Sequence, residues 1–110
     1  MNRQAAIQQI RKKLKDKQPS IGSWMQIPHA SIAEIMGNAG YDWVAVDLEH
    51  GSISTHQLPN LFRAIETCGT LPLVRLSRAH PKDCKRSLDA GAAGVIIPMV
   101  ESAEELAYIM

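Results

Sequence analysis

Short apolar runs alternate with amphipathic stripes along this chain. Four runs are predicted to be strands, at residues 21–25, 43–48, 71–76 and 94–98, because strands covered on both faces are apolar and rich in β-branched residues. Between them, apolar residues recur with the i, i+3, i+4, i+7 spacing of one helix face. The clearest such stripe is Leu58, Leu61, Phe62 and Ile65.

Helix-end signals accompany these stripes. Ser31 and Glu34 have the spacing of a capping box, in which each side chain satisfies a free backbone amide. This box predicts a helix that ends at Gly40. Its predicted apolar face consists of Ile32, Ile35, Met36 and Ala39. Ser102 and Glu105 repeat the pattern before a last helix.

Strands that alternate with helices predict an α/β fold with a parallel sheet and right-handed crossovers. A doubly wound sheet normally has a glycine-rich phosphate turn after its first strand, and residues 23–28 contain no glycine. A (β/α)8 barrel needs about 250 residues. The favoured prediction is therefore the N-terminal half of a (β/α)8 TIM barrel. Residues 1–17 are predicted to form a leading amphipathic helix, and residues 18–110 a partial, apparently truncated barrel.

The overall charge is balanced but unevenly distributed. Twelve Lys and Arg residues face eleven Asp and Glu residues, for a net charge of +1, which argues against bulk attraction to nucleic acid or to an anionic membrane. Residues 1–17 contain six of the cations and one Asp. Since Ile7, Ile10 and Leu14 follow helical spacing, we interpret this segment as a helix with a solvated basic face rather than a nucleic-acid-binding arm.

Two further features bear on localisation. No apolar run approaches the roughly 20 residues that span a bilayer. Cys68 and Cys84 lie outside any CxxC or Cys/His cluster, so we expect reduced thiols that serve packing or surface roles. These features predict a cytoplasmic protein without membrane association.

The candidate reactive residues lie where the second and third predicted strands end. Asp47, Glu49 and His50 follow one strand, and Arg75 closes the next. In parallel α/β folds the C-terminal strand ends carry the reactive groups. A histidine whose tautomer is fixed by a carboxylate suits proton transfer, and an arginine fork suits a carboxylate or an oxyanion.

Structural roles remain open for each of these residues. Asp47 and His50 are also able to bond nearby backbone groups, and Arg75 to form an ion pair with Asp47 or Glu49. Trp24, on the first strand, is either packing or a wall of a substrate pocket. The other histidines precede or begin helices, where capping is common, and we assign them no chemistry. They are His29, His56 and His80.

Several short motifs, in order and spacing, make residues 21–110 resemble the HpcH/HpaI aldolase/citrate lyase family. The principal ones are Gly40-Tyr41-Asp42-Trp43, Asp47-Leu48-Glu49-His50-Gly51 and Val74-Arg75. Gly22-Ser23-Trp24, Ala33-Glu34, Leu88-Asp89-Ala90-Gly91-Ala92 and Ile97-Pro98-Met99-Val100-Glu101 also match. The resemblance implies a (β/α)8 barrel that acts as a class II, pyruvate-type aldolase on 4-hydroxy-2-oxo acids.

The same resemblance implies roles for individual residues. His50 matches the histidine of proton transfer, Asp47 the carboxylate that orients it, and Arg75 the arginine that binds substrate and stabilises enolate charge. Trp24 is expected to contact the substrate. Glu49 is expected to act on His50 without contacting the substrate. The family's divalent metal, Mg²⁺ or Mn²⁺, would polarise the 2-oxo group. Its ligands follow later strands, so we expect none in this chain.

The expected partners are a small 2-oxo acid, an aldehyde and further copies of the chain in a homo-oligomer. Two alternatives come from other functional classes. One is a noncatalytic half-barrel, either a fragment or an assembly module that lacks the metal ligands. The other is a small doubly wound binding domain.

Overall fold

The computed structural model describes residues 2–110. Its helices are α1 (Arg3–Lys15), α2 (Ala30–Gly37), α3 (Leu58–Glu66), α4 (Pro81–Asp89) and α5 (Ala103–Ile109), with a 3-10 turn at Thr55–Gln57. Its strands are β1 (Gly22–Met25), β2 (Trp43–Asp47), β3 (Leu71–Arg75) and β4 (Gly94–Ile96). Within residues 2–110, no helix is long and apolar enough to cross a bilayer.

The strands form one parallel sheet in the order β1-β2-β3-β4. A helix connects each strand to the next, which is the arrangement of the first half of a (β/α)8 barrel. The predicted α/β fold class is therefore confirmed. The register pairs Asp47 with Arg75 at the C-terminal ends of β2 and β3, so the two charged side chains lie at one edge of the sheet.

The two faces of the sheet differ because successive strand side chains point to opposite sides. Val44, Val46 and Val74 lie in the buried core with the apolar stripe of α3. Residues 43, 45 and 47 of β2, and 71, 73 and 75 of β3, share the other face. Asp47 and Arg75 thus belong to the face that a complete barrel would enclose.

Two ion pairs connect helix α1 to the rest of the chain. Arg3 Nη2 lies 2.5 Å from Glu66 Oε1 on α3, and Lys13 Nζ lies 2.8 Å from Asp42 Oδ1 just before β2. Ile7 and Ile10 line a cavity of about 480 Å³ together with Trp43, Leu71 and Leu73. Leu14 lines the same cavity and so lies on the predicted stripe, although it is 61% exposed.

The predicted N-terminus of α2 is wrong, and its predicted apolar face is only partly right, because Ile32 and Met36 pack against the core whereas Ile35 and Ala39 do not. The helix begins at Ala30, and Nδ1 of His29 accepts the Ser31 amide at 3.1 Å, so Ser31 lies inside the first turn. The buried positions are Ala33 and Gly37, whereas Ile35 is 67% exposed and Ala39 is also exposed. Contact with α3 through small residues explains the difference, because a large side chain at the contact would hold the helices apart.

Gly37 marks the closest point of that contact. A Cβ at this position would lie 2.5 Å from the Ile65 carbonyl oxygen, a backbone atom. We expect Gly37→Ala to lower the free energy of unfolding by about 2 kcal/mol, because overpacking forces backbone shifts. Urea denaturation measures this change. The matched variant is Gly94→Ala, whose Cβ would meet only Leu73 Cδ2 at 3.1 Å. Equal effects of the two variants would contradict the close backbone approach.

The remaining helix starts show both agreements and differences. Ser102 caps α5 as predicted, since its Oγ accepts the Glu105 amide at 3.0 Å. His80 caps α4 through Nδ1, which accepts the Lys82 amide at 3.1 Å. An unpredicted capping box precedes α3, where the Ser54 amide donates to Gln57 Oε1 at 2.8 Å.

The predicted fourth strand is shorter than expected and ends at Ile96. It is only partly buried because it lies at the edge of the sheet.

Candidate active site

Asp47 is the centre of the candidate site. Its side chain is fully buried at the end of β2. Oδ1 accepts the amides of Glu49 and His50 at 3.0 and 3.1 Å, and Arg75 Nε at 3.0 Å. Oδ2 accepts Arg75 Nη2 at 2.5 Å and Gln26 Nε2 at 3.0 Å. Five donors therefore converge on one carboxylate.

These donors keep Asp47 ionised. Burial by itself would raise the pKa of Asp47, but the hydrogen bonds from Arg75, the His50 and Glu49 amides and Gln26 outweigh it and hold that pKa far below its usual range. The hydrogen bond to Asp47 in turn raises the pKa of Arg75. Both members of the pair thus stay charged over the physiological pH range.

The carboxylate also shapes the loop after β2. By accepting the amides two and three residues along the chain, Asp47 makes the local turn that brings His50 back toward the strand end. Gly51 completes the turn with φ +101°, a left-handed conformation that favours glycine. A Cβ there would lie 3.4 Å from the Gln26 carbonyl oxygen, so the loop packs closely against the end of β1.

His50 is oriented by Arg75. Its Nδ1 lies 2.9 Å from Arg75 Nη2, and its side chain is 64% exposed. The distance from Nδ1 to Asp47 Oδ2 is 3.7 Å, and that to Glu49 Oε1 is 3.8 Å, both too long for a hydrogen bond. The guanidinium therefore contacts both the imidazole and the buried carboxylate.

Arg75 is further held by an aromatic ring. Its guanidinium carbon lies 4.3 Å from the centroid of the Trp24 ring, within the range of a cation–π contact. Trp24 meets Trp43 edge to face, with centroids 6.4 Å apart. An open cleft of about 490 Å³ is lined by Trp24, Gln26, Ile27 and Arg75. The cleft thus combines a fixed positive charge with an apolar wall.

The structure brings together all the residues that the sequence singled out for this site. Glu49 also contributes, with Oε1 3.4 Å from Arg75 Nε. Gln26 was missed, although extending the β1–β2 register by one residue places it opposite Asp47. His29 and His80 instead cap helices, and His56 bonds Ser54 Oγ at 3.0 Å. The catalytic roles of the clustered residues stay predictions.

The described residues do not by themselves fit a divalent metal. Between residues 2 and 110 there is no group of three His, Cys, Asp or Glu side chains placed to hold an ion. The buried carboxylate of Asp47 is already surrounded by its five hydrogen-bond donors. We therefore assign no metal ligand in this part of the chain.

Comparison with known proteins agrees with the sequence motifs. The profile of the HpcH/HpaI aldolase/citrate lyase family matches residues 20–110. The chain is 40% identical over 92 residues to the 2-dehydro-3,6-dideoxy-6-sulfogluconate aldolase of Pseudomonas putida, covering 84% of this chain and 36% of the relative. It is 36% identical over 92 residues to the 4-hydroxy-2-oxo-heptane-1,7-dioate aldolase of Salmonella dublin, covering 84% and 35%.

Solved structures give the same result. The crystal structure of a HpcH/HpaI aldolase/citrate lyase family protein from Burkholderia cenocepacia J2315 superposes with a TM-score of 0.82 at 32% identity, covering 92% of this chain and 40% of that one. The chain thus spans between about a third and two fifths of the proteins it matches. On the family profile, the motifs and the fold together, it belongs to the HpcH/HpaI aldolase/citrate lyase family.

Proposed function

We propose that this protein is a carbon–carbon lyase, an aldolase that cleaves or forms 4-hydroxy-2-oxo acids through a pyruvate-type enolate. The observation that carries the proposal is the contact between His50 and Arg75 at 2.9 Å, at the C-terminal edge of the sheet. The names of two relatives, 4-hydroxy-2-oxo-heptane-1,7-dioate aldolase and hydroxypyruvate/pyruvate aldolase, support the substrate class.

Arg75 is the proposed binding group for the 2-oxo acid. Nε and Nη2 are occupied by Asp47 and His50, while Nη1 has no hydrogen-bond partner among residues 2–110. Because Arg75 also lines the cleft, its Nη1 donors are free to bind a substrate carboxylate or the oxyanion of an enolate. A preorganised cation of this kind stabilises negative charge as it develops in the transition state.

His50 is the proposed proton-transfer group. Its ring is exposed next to Arg75, and its Nε2 makes no hydrogen bond to another residue of the described chain. This nitrogen is therefore available to a substrate oxygen or to a water molecule beside it. Such groups typically contribute about 10²–10⁴-fold to the rate.

The cofactor and the assembly belong to the same proposal. We propose a small 2-oxo acid and an aldehyde as substrates, and dependence on Mg²⁺ or Mn²⁺ without any ligand from residues 2–110. We also propose a cytoplasmic homo-oligomer.

A noncatalytic half-barrel is the second candidate. One observation favours it: no cluster of metal-ligating side chains lies within the described residues. In that case the charged cluster around Asp47 would serve only to shape the strand ends, and the open sheet would serve assembly with other chains.

A retro-aldol assay separates the two candidates. We expect the protein to release pyruvate, or a related 2-oxo acid, from 4-hydroxy-2-oxo acids when Mg²⁺ or Mn²⁺ is added, and release to stop when the metal is chelated. A lactate dehydrogenase coupled assay measures pyruvate. A protein that stays folded but releases no 2-oxo acid with either metal would support the half-barrel module and contradict the aldolase.

A further inference from the structure

The hydrogen bond between Arg75 and His50 determines which imidazole nitrogen carries the proton. A guanidinium stays protonated in proteins and offers donors only. Since Arg75 Nη2 lies 2.9 Å from Nδ1 of His50, Nδ1 must supply a lone pair. A neutral His50 then carries its single proton on Nε2.

The competing arrangement has Nδ1 donating to Asp47, as the sequence predicted for a carboxylate that orients a histidine. Asp47 Oδ2 is 3.7 Å from Nδ1, and it already accepts Gln26 Nε2 and Arg75 Nη2. The same Nη2 atom contacts Oδ2 at 2.5 Å and Nδ1 at 2.9 Å. The guanidinium thus donates to both groups, whereas the Nδ1–Oδ2 distance is too long for a direct hydrogen bond.

We propose that Arg75 is the positioning residue of His50 and holds it in the tautomer protonated at Nε2. Asp47 holds the His50 backbone through its amide and acts on the ring nitrogen through Arg75, whose Nε and Nη2 it fixes in a fork of two hydrogen bonds. Gln26 anchors the same carboxylate from β1, and Trp24 holds the guanidinium from the side of the cleft.

The catalytic consequence rests on the proposed aldolase function. The resting imidazole offers Nε2–H as a hydrogen-bond donor to a substrate oxygen, and it has no lone pair on that nitrogen. It accepts a proton at Nε2 only in the other tautomer, which forms when Nδ1 takes a proton from water and Nε2 releases its own proton to water, and this exchange requires Arg75 Nη2 to leave Nδ1. A substrate carboxylate bound at Nη1 that shifts Nη2 off Nδ1 would therefore allow this exchange and convert His50 from a donor into a base.

The tautomer is measurable without turnover. Long-range ¹H–¹⁵N spectra of the chain labelled with ¹⁵N-histidine, recorded at about pH 8.5 where free imidazoles are neutral, distinguish protonated from unprotonated ring nitrogens. The His50 signals are those missing from His50→Gln. We expect an unprotonated Nδ1 and a protonated Nε2. A protonated Nδ1 in the unmodified chain overturns the proposal.

A pair of variants tests the role of Arg75. In Arg75→Met we expect a population with the proton on Nδ1 to appear, because the donor is gone and Asp47 Oδ2 becomes the nearest partner. The matched control is Arg78→Met, since Arg78 pairs with Asp83 at 2.9 Å rather than with His50; its His50 spectrum should not change. A folded Arg75→Met chain with an unchanged His50 spectrum contradicts the proposal.

These measurements separate the two proposals. If Arg75→Met does not fold, the spectrum of the unmodified chain still decides the tautomer. A protonated Nε2 in a chain without retro-aldol activity would contradict only the aldolase function, and an active chain with a protonated Nδ1 would contradict only the role of Arg75.

Discussion

Asp47→Asn is expected to lower the free energy of unfolding by about 3 kcal/mol, because buried polar groups that lose a charged partner are left unsatisfied. The asparagine has nearly the same shape, but its amide nitrogen donates where Asp47 accepts. At least one of the donors from Arg75, Gln26 and the loop amides then faces another donor. Urea denaturation at neutral pH measures the loss.

The effect should depend on pH in one direction. The pKa of Asp47 is lowered in the folded chain, so its stabilisation is complete above the unfolded pKa of about 3.9 and is lost as the pH falls toward the folded pKa. The difference between Asp47→Asn and the unmodified chain should therefore shrink below about pH 4. Urea midpoints measured across this range provide the test.

Asp83→Asn is the matched control for that substitution. Asp83 bonds Arg78, whose side chain is 66% exposed, and exposed pairs contribute at most about 1 kcal/mol. Equal losses for Asp47→Asn and Asp83→Asn, or a difference that does not change with pH, would contradict a stabilising buried network around Asp47.

The sequence predicted the sheet well because strand signals are local. Val44 and Val46 alternate with residues of the opposite face within one short run, and parallel pairing then aligns the ends of β2 and β3. The face of α2 was not predictable in the same way. Whether Ile35 or Gly37 is buried depends on how closely α3 approaches, and that distance is set by residues far along the chain.

In the candidate site, too, some features were predictable from the sequence and others were not. The residue types and their common edge followed from the sequence, because Asp47 and Arg75 end neighbouring strands. The pattern of contacts did not, since Arg75 stacks on Trp24 of β1 and contacts both His50 and Asp47. The orientation of His50 by Asp47 stays a prediction, since the two side chains lie 3.7 Å apart and Arg75 Nη2 contacts both.

His50→Gln is expected to lower kcat for retro-aldol cleavage about 10²–10⁴-fold, the usual contribution of a proton-transfer residue. KM should change much less, because Arg75 keeps its pairing with Asp47 and still offers Nη1 to the substrate carboxylate. Interactions made only in the transition state affect kcat and kcat/KM together. Steady-state assays of His50→Gln and of the unmodified chain with one 4-hydroxy-2-oxo acid give kcat and KM.

His56→Gln provides the control, because His56 bonds Ser54 Oγ at 3.0 Å outside the Asp47–Arg75 network, and its kinetic constants should match those of the unmodified chain. Arg75→Lys should behave differently from His50→Gln, since a lysine loses the planar fork that Asp47 fixes. We therefore expect KM to rise as well as kcat to fall. A His50→Gln variant with unchanged kcat would show that the imidazole takes no part in proton transfer, and the aldolase proposal would then lose its acid–base group.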